Sequence, residues 1–275
     1  MFAADPIQVH QIQRGGLPTL LELLAAGAPR VALSLIAFGG VVWLAAYLSA
    51  IRAANRGKVT TLPLVAVCLN ITWEIVHTVV YRPPRTIDLA TNLAWLALDL
   101  LILTQLFRFG RARQAIPQVR EYFVPVVVGT LILSFLGHLT FHRHVTANSI
   151  FPDESGTIPA FIISLVMSVL FVGMYYARPD GAGLSKTVAW TKFVGTLCYS
   201  VGNTMILMRM PTVQYEVQVR QSGTEQWNTA GMIGNTTIHP GFLYFLFTGI
   251  AIFDLIYLWL LYRGPYATRR APAPP

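Results

Sequence analysis

Charged residues are scarce in this chain. Asp, Glu, Lys and Arg make up 12% of its 275 residues, hydrophobic residues make up 54%, and the mean hydropathy is +0.55. A soluble domain carries about 25% charged residues, so this scarcity excludes a soluble globular protein and indicates an integral membrane protein.

Cysteine is nearly absent as well. Cys68 and Cys198 both lie in apolar stretches, where we expect them to serve as packing residues, and they indicate nothing about the redox compartment.

The sequence also lacks three patterns that define other kinds of protein. Residues 1–30 do not read as a signal peptide, because their charges are mixed and the long apolar run begins only at Val31. No internal repeat or pair of broken helices marks a transporter with two related halves. A retinal protein needs a lysine in the middle of its last span for the Schiff base, and Asp254 lies there instead.

Long apolar runs account for most of the sequence. A membrane-spanning helix needs roughly 20 apolar residues, and seven stretches provide them: 31–50, 60–80, 87–107, 122–141, 158–177, 187–208 and 241–262. The sequence therefore predicts an all-α membrane protein in which residues 31–263 form one bundle of seven transmembrane helices. Residues 1–30 are either a plain linker or carry a short interfacial helix at Leu17–Ala26, and residues 264–275 are expected to be a disordered tail.

Lys and Arg residues are unevenly distributed among the connecting segments. Segments 51–59, 108–121, 178–186 and 263–275 hold 12 of them, whereas the alternate segments hold seven. This asymmetry is the positive-inside signature, which predicts that the N-terminus lies outside and the C-terminus in the cytoplasm. The formal net charge of +8 is then a sign of topology and of contact with anionic membrane lipid, not of nucleic-acid binding.

Two of the predicted outer segments carry further patterns. In residues 209–240, the alternating stretch Val213–Arg220 predicts a short strand, and Ser222-Gly223 favours a hairpin turn after it. Such a hairpin would be either a lid over an outer opening or a plain connector. Residues 142–157 contain a His-x-His pattern, which is weak evidence for a metal, so we expect a solvated loop there.

Polar side chains recur on one face of the second span. Asn70, Glu74, His77 and Tyr81 are spaced by 4, 3 and 4 residues, which places them on one narrow face of a helix. A carboxyl group in hydrocarbon is costly and by default faces the interior of the bundle, where it marks a functional site. Glu74 is therefore the first candidate for a catalytic residue.

Other spans contribute partners of the same kind. Two more acids, Asp99 in the third span and Asp254 in the seventh, lie near the middle of the membrane, and the other polar or aromatic candidates are Asn92, Trp95, His138, Tyr199, Asn203, Phe247 and Tyr257. Lys192 lies about one turn from the inner end of its span, so we expect it to snorkel to the interface. The first span has only Gly39-Gly40, which allows close helix packing, and is expected to be a scaffold.

Three buried carboxyl groups suit proton chemistry. Burial in a medium of low dielectric constant disfavours the charged form, so at least one of Glu74, Asp99 and Asp254 should stay protonated and could donate a proton. The faces of Phe247 and Tyr257 are negative and could stabilise a cation. An acid in a cavity lined by aromatic residues is what protonation-initiated cyclisation of a polyene requires.

Particular motifs then suggest a family. Asn70-Ile71-Thr72-Trp73-Glu74, Trp95-x-x-Leu98-Asp99 and Asp254 resemble the small seven-helix integral-membrane terpene cyclases, the paspaline-type and meroterpenoid cyclases of fungi and their bacterial relatives. The resemblance covers nearly the whole chain. It implies that the protein cyclises the prenyl chain of an aromatic, indole or meroterpenoid substrate by protonating an epoxide or a terminal alkene, and that Glu74 and Asp254 are the required acids.

The resemblance leaves supporting roles to the residues around the two acids. Asn70, Trp73, His77, Trp95, Asp99, Tyr199, Asn203, Phe247 and Tyr257 would line the substrate pocket or orient the acids, although helix–helix contacts explain the polar ones equally well. Glu74 lies roughly 10 Å from the outer end of its span and Asp254 roughly 19 Å from the outer end of its own, so the two acids are expected at different ends of one cavity. Asp254 is the preferred donor of the first proton.

The sequence contains neither Asp-Asp-x-x-Asp nor Asp-x-Asp-Asp, the motifs with which soluble terpene cyclases bind metal, so no metal or other cofactor is expected. A proton-coupled small-molecule transporter is the alternative function, since buried acids also serve proton relays. The Ala- and Arg-rich composition favours a bacterial cytoplasmic membrane over the endoplasmic reticulum.

Overall fold

In the computed structural model, residues 8–10, 30–83, 86–146, 156–209, 215–220, 227–233 and 240–263 are described. Each of the seven stretches predicted to span the membrane contains a long helical segment, although residues 60–63 at the start of the second stretch are not helical. The α-helices are α1 (Arg30–Gly57), α2 (Leu64–Ile75), α3 (Thr86–Phe109), the short α4 (Pro117–Glu121), α5 (Phe123–Thr140), α6 (Thr157–Ala177), α7 (Lys186–Arg209) and α8 (Pro240–Arg263).

Five helical segments in the described part of the chain are long and apolar enough to cross a membrane. They are Arg30–Gly57, Leu89–Phe109, Phe123–His144, Thr157–Ala177 and Gly241–Arg263. The segment Leu64–Val80 is apolar but shorter, and α7 is not among the five. These helices make the chain a multi-pass membrane protein, while the count of seven crossings stays a prediction.

Two helices end in π-helical turns. Helix α2 continues without a break into a π-helix at Val76–Val80, and α5 continues into another at Phe141–Thr146. A π-helical turn shifts the faces on which the following side chains lie, and such turns occur often at functional sites. His77 and His142 belong to these two turns, which therefore change the direction in which their side chains point.

Helix α1 packs closely against α7 through glycine. A Cβ atom on Gly39 would lie 2.9 Å from the carbonyl oxygen of Gly195 and 2.9 Å from the Tyr199 ring. The prediction that Gly39 permits close helix packing is therefore confirmed, because no larger residue fits this crossing without a shift of the backbone.

The loops gather on two sides of the bundle. On one side, the buried guanidinium of Arg178 donates to the carbonyl oxygen of Thr60 at 2.5 Å and to its hydroxyl at 3.0 Å, and Arg113 forms an ion pair with Asp180. These contacts join the three basic loops that the charge distribution places on a single side. On the other side, the Trp73 indole donates to the carbonyl oxygen of Gly156 at 3.0 Å.

A small antiparallel sheet has the strand order β1-β2-β3, formed by Gln8–His10, Tyr215–Arg220 and Trp227–Ile233. The predicted strand is confirmed over Tyr215–Arg220, which pairs antiparallel with Trp227–Ile233. On its other side, Val219 pairs with Val9. The turn at Ser222-Gly223, the interfacial helix expected at Leu17–Ala26 and the tail 264–275 lie outside the described residues. The role of the hairpin as a lid stays a prediction.

Gly39→Ala should lower the thermal stability of the protein. The new methyl group would press against backbone atoms, which cannot rotate away. Gly129→Ala is the matched control, since nothing lies within 4 Å of its Cβ position and replacing a helical glycine by alanine gains about 0.5–1 kcal/mol. Thermal denaturation in detergent should show the first variant below the wild type and the second at or above it. Equal stability of the two variants would contradict the close crossing of α1 and α7.

Candidate active site

A narrow cavity lies inside the bundle among five helices. Its volume is about 20 Å³, and its lining comes from α1, the loop before α2, α2, α3, α6 and α7: Trp43, Ala46, Tyr47, Ala50, Leu62, Ala66, Val67, Asn70, Asp99, Ile102, Met167, Phe171, Val188 and Lys192. The lining is apolar except for a few side chains. Two polar groups, one on each side, therefore define its chemistry.

The first polar group joins α1, α2 and α3. The Asn70 amide donates to the Asp99 carboxylate at 2.7 Å and to the Tyr47 hydroxyl at 2.5 Å, and the Tyr47 hydroxyl also bonds to Asp99. Asp99 is buried, at 3% exposure. Hydrogen bonds from two neighbours favour the ionised form of a carboxyl group. Asn70 and Tyr47 therefore stabilise a negative charge on Asp99.

Tyr47 is the member of this group that the sequence reading missed. The first span was expected to be only a scaffold, yet its buried Tyr47 lines the cavity and packs edge-on against Trp95, with 5.0 Å between ring centres. A signal was present in the sequence. Gly40, Trp43 and Tyr47 follow the same spacing of 3 and 4 residues that marks the polar face of the second span.

The second polar group joins α6, α7 and α8. Lys192 Nζ donates to both carboxylate oxygens of Asp254, at 2.7 and 2.8 Å, and to the Ser168 hydroxyl at 2.6 Å. The expectation that Lys192 snorkels to the interface is wrong, because its side chain is 3% exposed and meets a buried anion. Removing one partner of such a pair costs about 3–5 kcal/mol, since the other charge is left buried alone.

Glu74 has a different environment from the other two acids. It lies one helical turn after Asn70 on α2, and it is 5% exposed. Its Oε2 atom is buried without a hydrogen-bond partner among the described residues. A carboxylate oxygen without a cation or donor is costly to bury, so of the three acids Glu74 has the surroundings least suited to a negative charge.

A cluster of rings covers the side of α2 beyond Glu74. The His77 and His142 rings lie 5.6 Å apart, Tyr81 stacks on His142 at 3.6 Å, and Trp73 lies 4.9 Å from His77. The expectation of a solvated loop at His142 is wrong. That residue belongs to the π-helical end of α5 and is only 8% exposed, because the π-helical turn brings it against α2.

Of the predicted site residues, Asn70 and Asp99 line the cavity, whereas neither Glu74 nor Asp254 belongs to its lining. Tyr257 stacks on the cavity residue Phe171 at 5.0 Å and is therefore one layer behind it. Phe247 packs against Phe161, with 4.6 Å between ring centres. The Asn203 amide donates to the carbonyl oxygen of Tyr199 in its own helix. The Tyr199 ring lies against Gly39 of α1.

His138 and Asn92 make hydrogen bonds to the backbone of the α2 segment. His138 Nε2 lies 3.1 Å from the carbonyl oxygen of Leu69, and the Asn92 amide donates to the carbonyl oxygen of His77 at 3.4 Å. The expectation of a hydrogen-bonded packing role for His138 agrees with this contact.

Comparison with known proteins identifies the family. The sequence model of the Pyr4-like transmembrane terpene cyclases matches residues 27–261. This range includes α1 to α7, all but the last two residues of α8, and both polar groups. The chain therefore belongs to the Pyr4-like transmembrane terpene cyclases.

Curated relatives agree with this assignment. The chain is similar to the terpene cyclase ltmB of Epichloe festucae var. lolii, with 27% identity over 59% of the chain and 70% of the relative. It is also similar to esdpB of Penicillium shearii, with 25% identity over 59% and 65%, and to terB of Tolypocladium album, with 28% identity over 60% and 67%. No solved structure matches the chain. These relatives are fungal, so the comparisons do not support the expected bacterial membrane.

Gly156→Ala should disturb the ring cluster beside Glu74. Gly156 has φ of +66°, and a Cβ atom there would collide with the His77 ring. Gly181→Ala is the matched control, because Gly181 has φ of +70° in the loop between α6 and α7. Both variants carry the backbone strain of about 1–2 kcal/mol, and only the first displaces His77. Cyclase activity per folded molecule should fall further in the first variant. Equal activity of the two variants would show that the ring cluster does not contribute to cyclase activity.

Proposed function

We propose that this protein cyclises the prenyl chain of a prenylated aromatic, indole or meroterpenoid substrate, and that Glu74 starts the reaction by donating a proton. The observation that carries the proposal is the different surroundings of the three buried acids. Asp254 contacts an ammonium group, Asp99 accepts hydrogen bonds, and Glu74 Oε2 has no partner in the described part of the chain.

This assignment differs from the preference for Asp254 that the sequence suggested. An acid must carry a proton before it can donate one. Asp254 lies against Lys192, which stabilises its charged form, and Asp99 is stabilised by Asn70 and Tyr47. Glu74 has neither kind of support at Oε2, so its neutral form is the more stable one in the bundle interior.

The reaction then follows from the surroundings. The Glu74 proton passes to a terminal alkene carbon or to an epoxide oxygen, which creates a carbocation or opens the ring toward one. The π electrons of the next double bonds close rings in turn. Trp43, Tyr47 and Phe171 line the cavity, and aromatic faces stabilise a positive charge over a distance of about 6 Å. The apolar walls exclude water that would otherwise capture the cation.

The size of the cavity sets a condition on binding. Its volume is about 20 Å³, whereas pockets for small molecules enclose roughly 300–1,000 Å³. The substrate must therefore displace side chains or separate helices as it enters. Burial of the apolar prenyl chain would supply the free energy for this movement.

The chain is proposed to cross the membrane seven times, with its N-terminus outside. Support comes from the alternation of the loops, since the basic segments around Lys58, Arg113 and Arg178 lie on one side and contact one another. The pairing of β1 with β2 puts residues 8–10 beside 215–220, and both segments are predicted to be outside.

Glu74→Gln should abolish substrate consumption, with a loss of at least about 100-fold, the usual contribution of a general acid. Membranes containing the protein would be incubated with farnesylated and geranylgeranylated indoles, with and without a terminal epoxide, and the products analysed. Asp254→Asn should impair the reaction and lower the protein level, because Lys192 loses its counter-ion. The exposed Glu121→Gln on α4 is the control and should behave as the wild type.

Two results would contradict this mechanism. Unchanged turnover in both acid variants would exclude catalysis by these acids. Proton-coupled uptake of a small molecule into liposomes, without any product, would support a transporter in place of a cyclase.

Chelation should leave the activity unchanged. Because the sequence lacks both aspartate-rich metal motifs, the proposed initiation uses a proton and no metal ion. Product formation would be measured after dialysis against EDTA and after addition of Mg²⁺. A loss of activity that Mg²⁺ restores would contradict protonation as the initiating step.

A further inference from the structure

Lys192 has the features of a reactive group as well as those of an ion-pair partner. Its side chain is 3% exposed, and it lines the same cavity as Asn70 and Asp99. The family assignment and the proposed initiation step give it no role. Nevertheless, an ammonium group inside a membrane bundle is costly, and residues of this kind mark functional positions by default.

Packing alone does not require this lysine. Helices α6, α7 and α8 already share a large apolar cluster, in which Phe171, Val188, Tyr257 and Leu258 are all buried. Replacing a buried ion pair by apolar residues is often neutral or stabilising. A lysine and an aspartate that only joined these helices would therefore be a poor solution, and their position at the cavity wall needs another explanation.

We propose that the Lys192–Asp254 pair is the base that ends the cyclisation, with Lys192 as the group that faces the substrate. This inference rests on the proposed function. In the resting pair, the three N–H bonds of Lys192 point to Asp254 Oδ1, Asp254 Oδ2 and Ser168 Oγ. One of these protons can shift to Asp254 along a hydrogen bond of 2.7 Å.

The final carbocation drives this shift. A positive charge close to the ammonium group disfavours its charged form, so Lys192 passes a proton to Asp254 and gains a lone pair. The contact between Nζ and Ser168 Oγ opens as the amine turns toward the cavity. The lone pair then takes a proton from the carbon next to the cationic centre, and the C–H electrons form the last C=C bond. The step ends with a neutral product, a protonated Asp254 and an ammonium on Lys192.

The cycle balances over the whole site. Glu74 loses one proton at the start, and the Lys192–Asp254 pair gains one at the end. Return of that proton to Glu74 through water, once the product has left, restores the starting state. Ser168 orients the amine in the resting pair, because its hydroxyl accepts from Nζ and donates to the carbonyl oxygen of Ser164 at 2.8 Å.

Lys192→Arg separates the chemical role from the structural one. Arginine keeps the positive charge and the pair with Asp254, but it does not give up a proton in proteins. The variant should still consume the substrate, because Glu74 is intact. It should yield at least 10-fold less of the normal product and instead form products that end at an earlier ring or carry a hydroxyl group from water. Lys186→Arg, an exposed lysine on the same helix, is the matched control.

A second variant covers the case in which arginine does not fit. Lys192→Met combined with Asp254→Asn removes both charges, so neither is left unpaired and the bundle should fold. This double variant should show the same change of products. If either folded variant makes the normal product at the wild-type proportion, the proposal is overturned.

The outcomes also distinguish this proposal from the proposed function. If Glu74→Gln is inactive and Lys192→Arg gives the normal product, only the role of Lys192 fails. If the wild type consumes none of the prenylated substrates, the proposed function is wrong, and the proposed role of Lys192 is then wrong as well.

Discussion

The ion pair between Lys192 and Asp254 allows two charged side chains to lie together in the interior of this bundle. Each of these groups alone would be too costly to keep ionised at 3% exposure. Together they hold a neutral pair at the junction of α6, α7 and α8, beside the cavity. The pair also makes the environment of Asp254 different from that of Glu74 and Asp99. Among the described residues, only the Asp254 carboxylate of these three has a cation beside it.

The face of α2 completes this division among the acids. Asn70 reaches across to Asp99 and Tyr47, Glu74 lies one turn further along without a partner at Oε2, and His77 enters a cluster of rings. One helix therefore carries, in succession, a donor to the Asp99 carboxylate, the proposed proton donor and part of the ring cluster. A proton donor on α2 and a proton acceptor between α7 and α8 are what the proposed carbocation cascade needs to begin and to end.

The sequence alone was sufficient to predict where the helices form and which residues of α2 and α3 carry their polar faces. Apolar runs and spacings of 3 and 4 residues are local properties, and Asn70 and Asp99 each follow such a spacing. The partner of Lys192 lies 62 residues away, and no local pattern specifies it. The snorkelling rule failed because it assumes that water is the best partner for an ammonium group near a helix end. His142 was misplaced because the spacing of an α-helix does not anticipate a π-helical turn.

The protonation state of Glu74 is the central claim, and infrared difference spectroscopy measures it directly. A protonated carboxyl group absorbs apart from carboxylates, and isotope exchange in D₂O shifts its band. For protein in lipid membranes at neutral pH, the account predicts a protonated-carboxyl band that disappears in Glu74→Gln and persists in Asp254→Asn. A band that persists in Glu74→Gln and disappears in Asp254→Asn would contradict it.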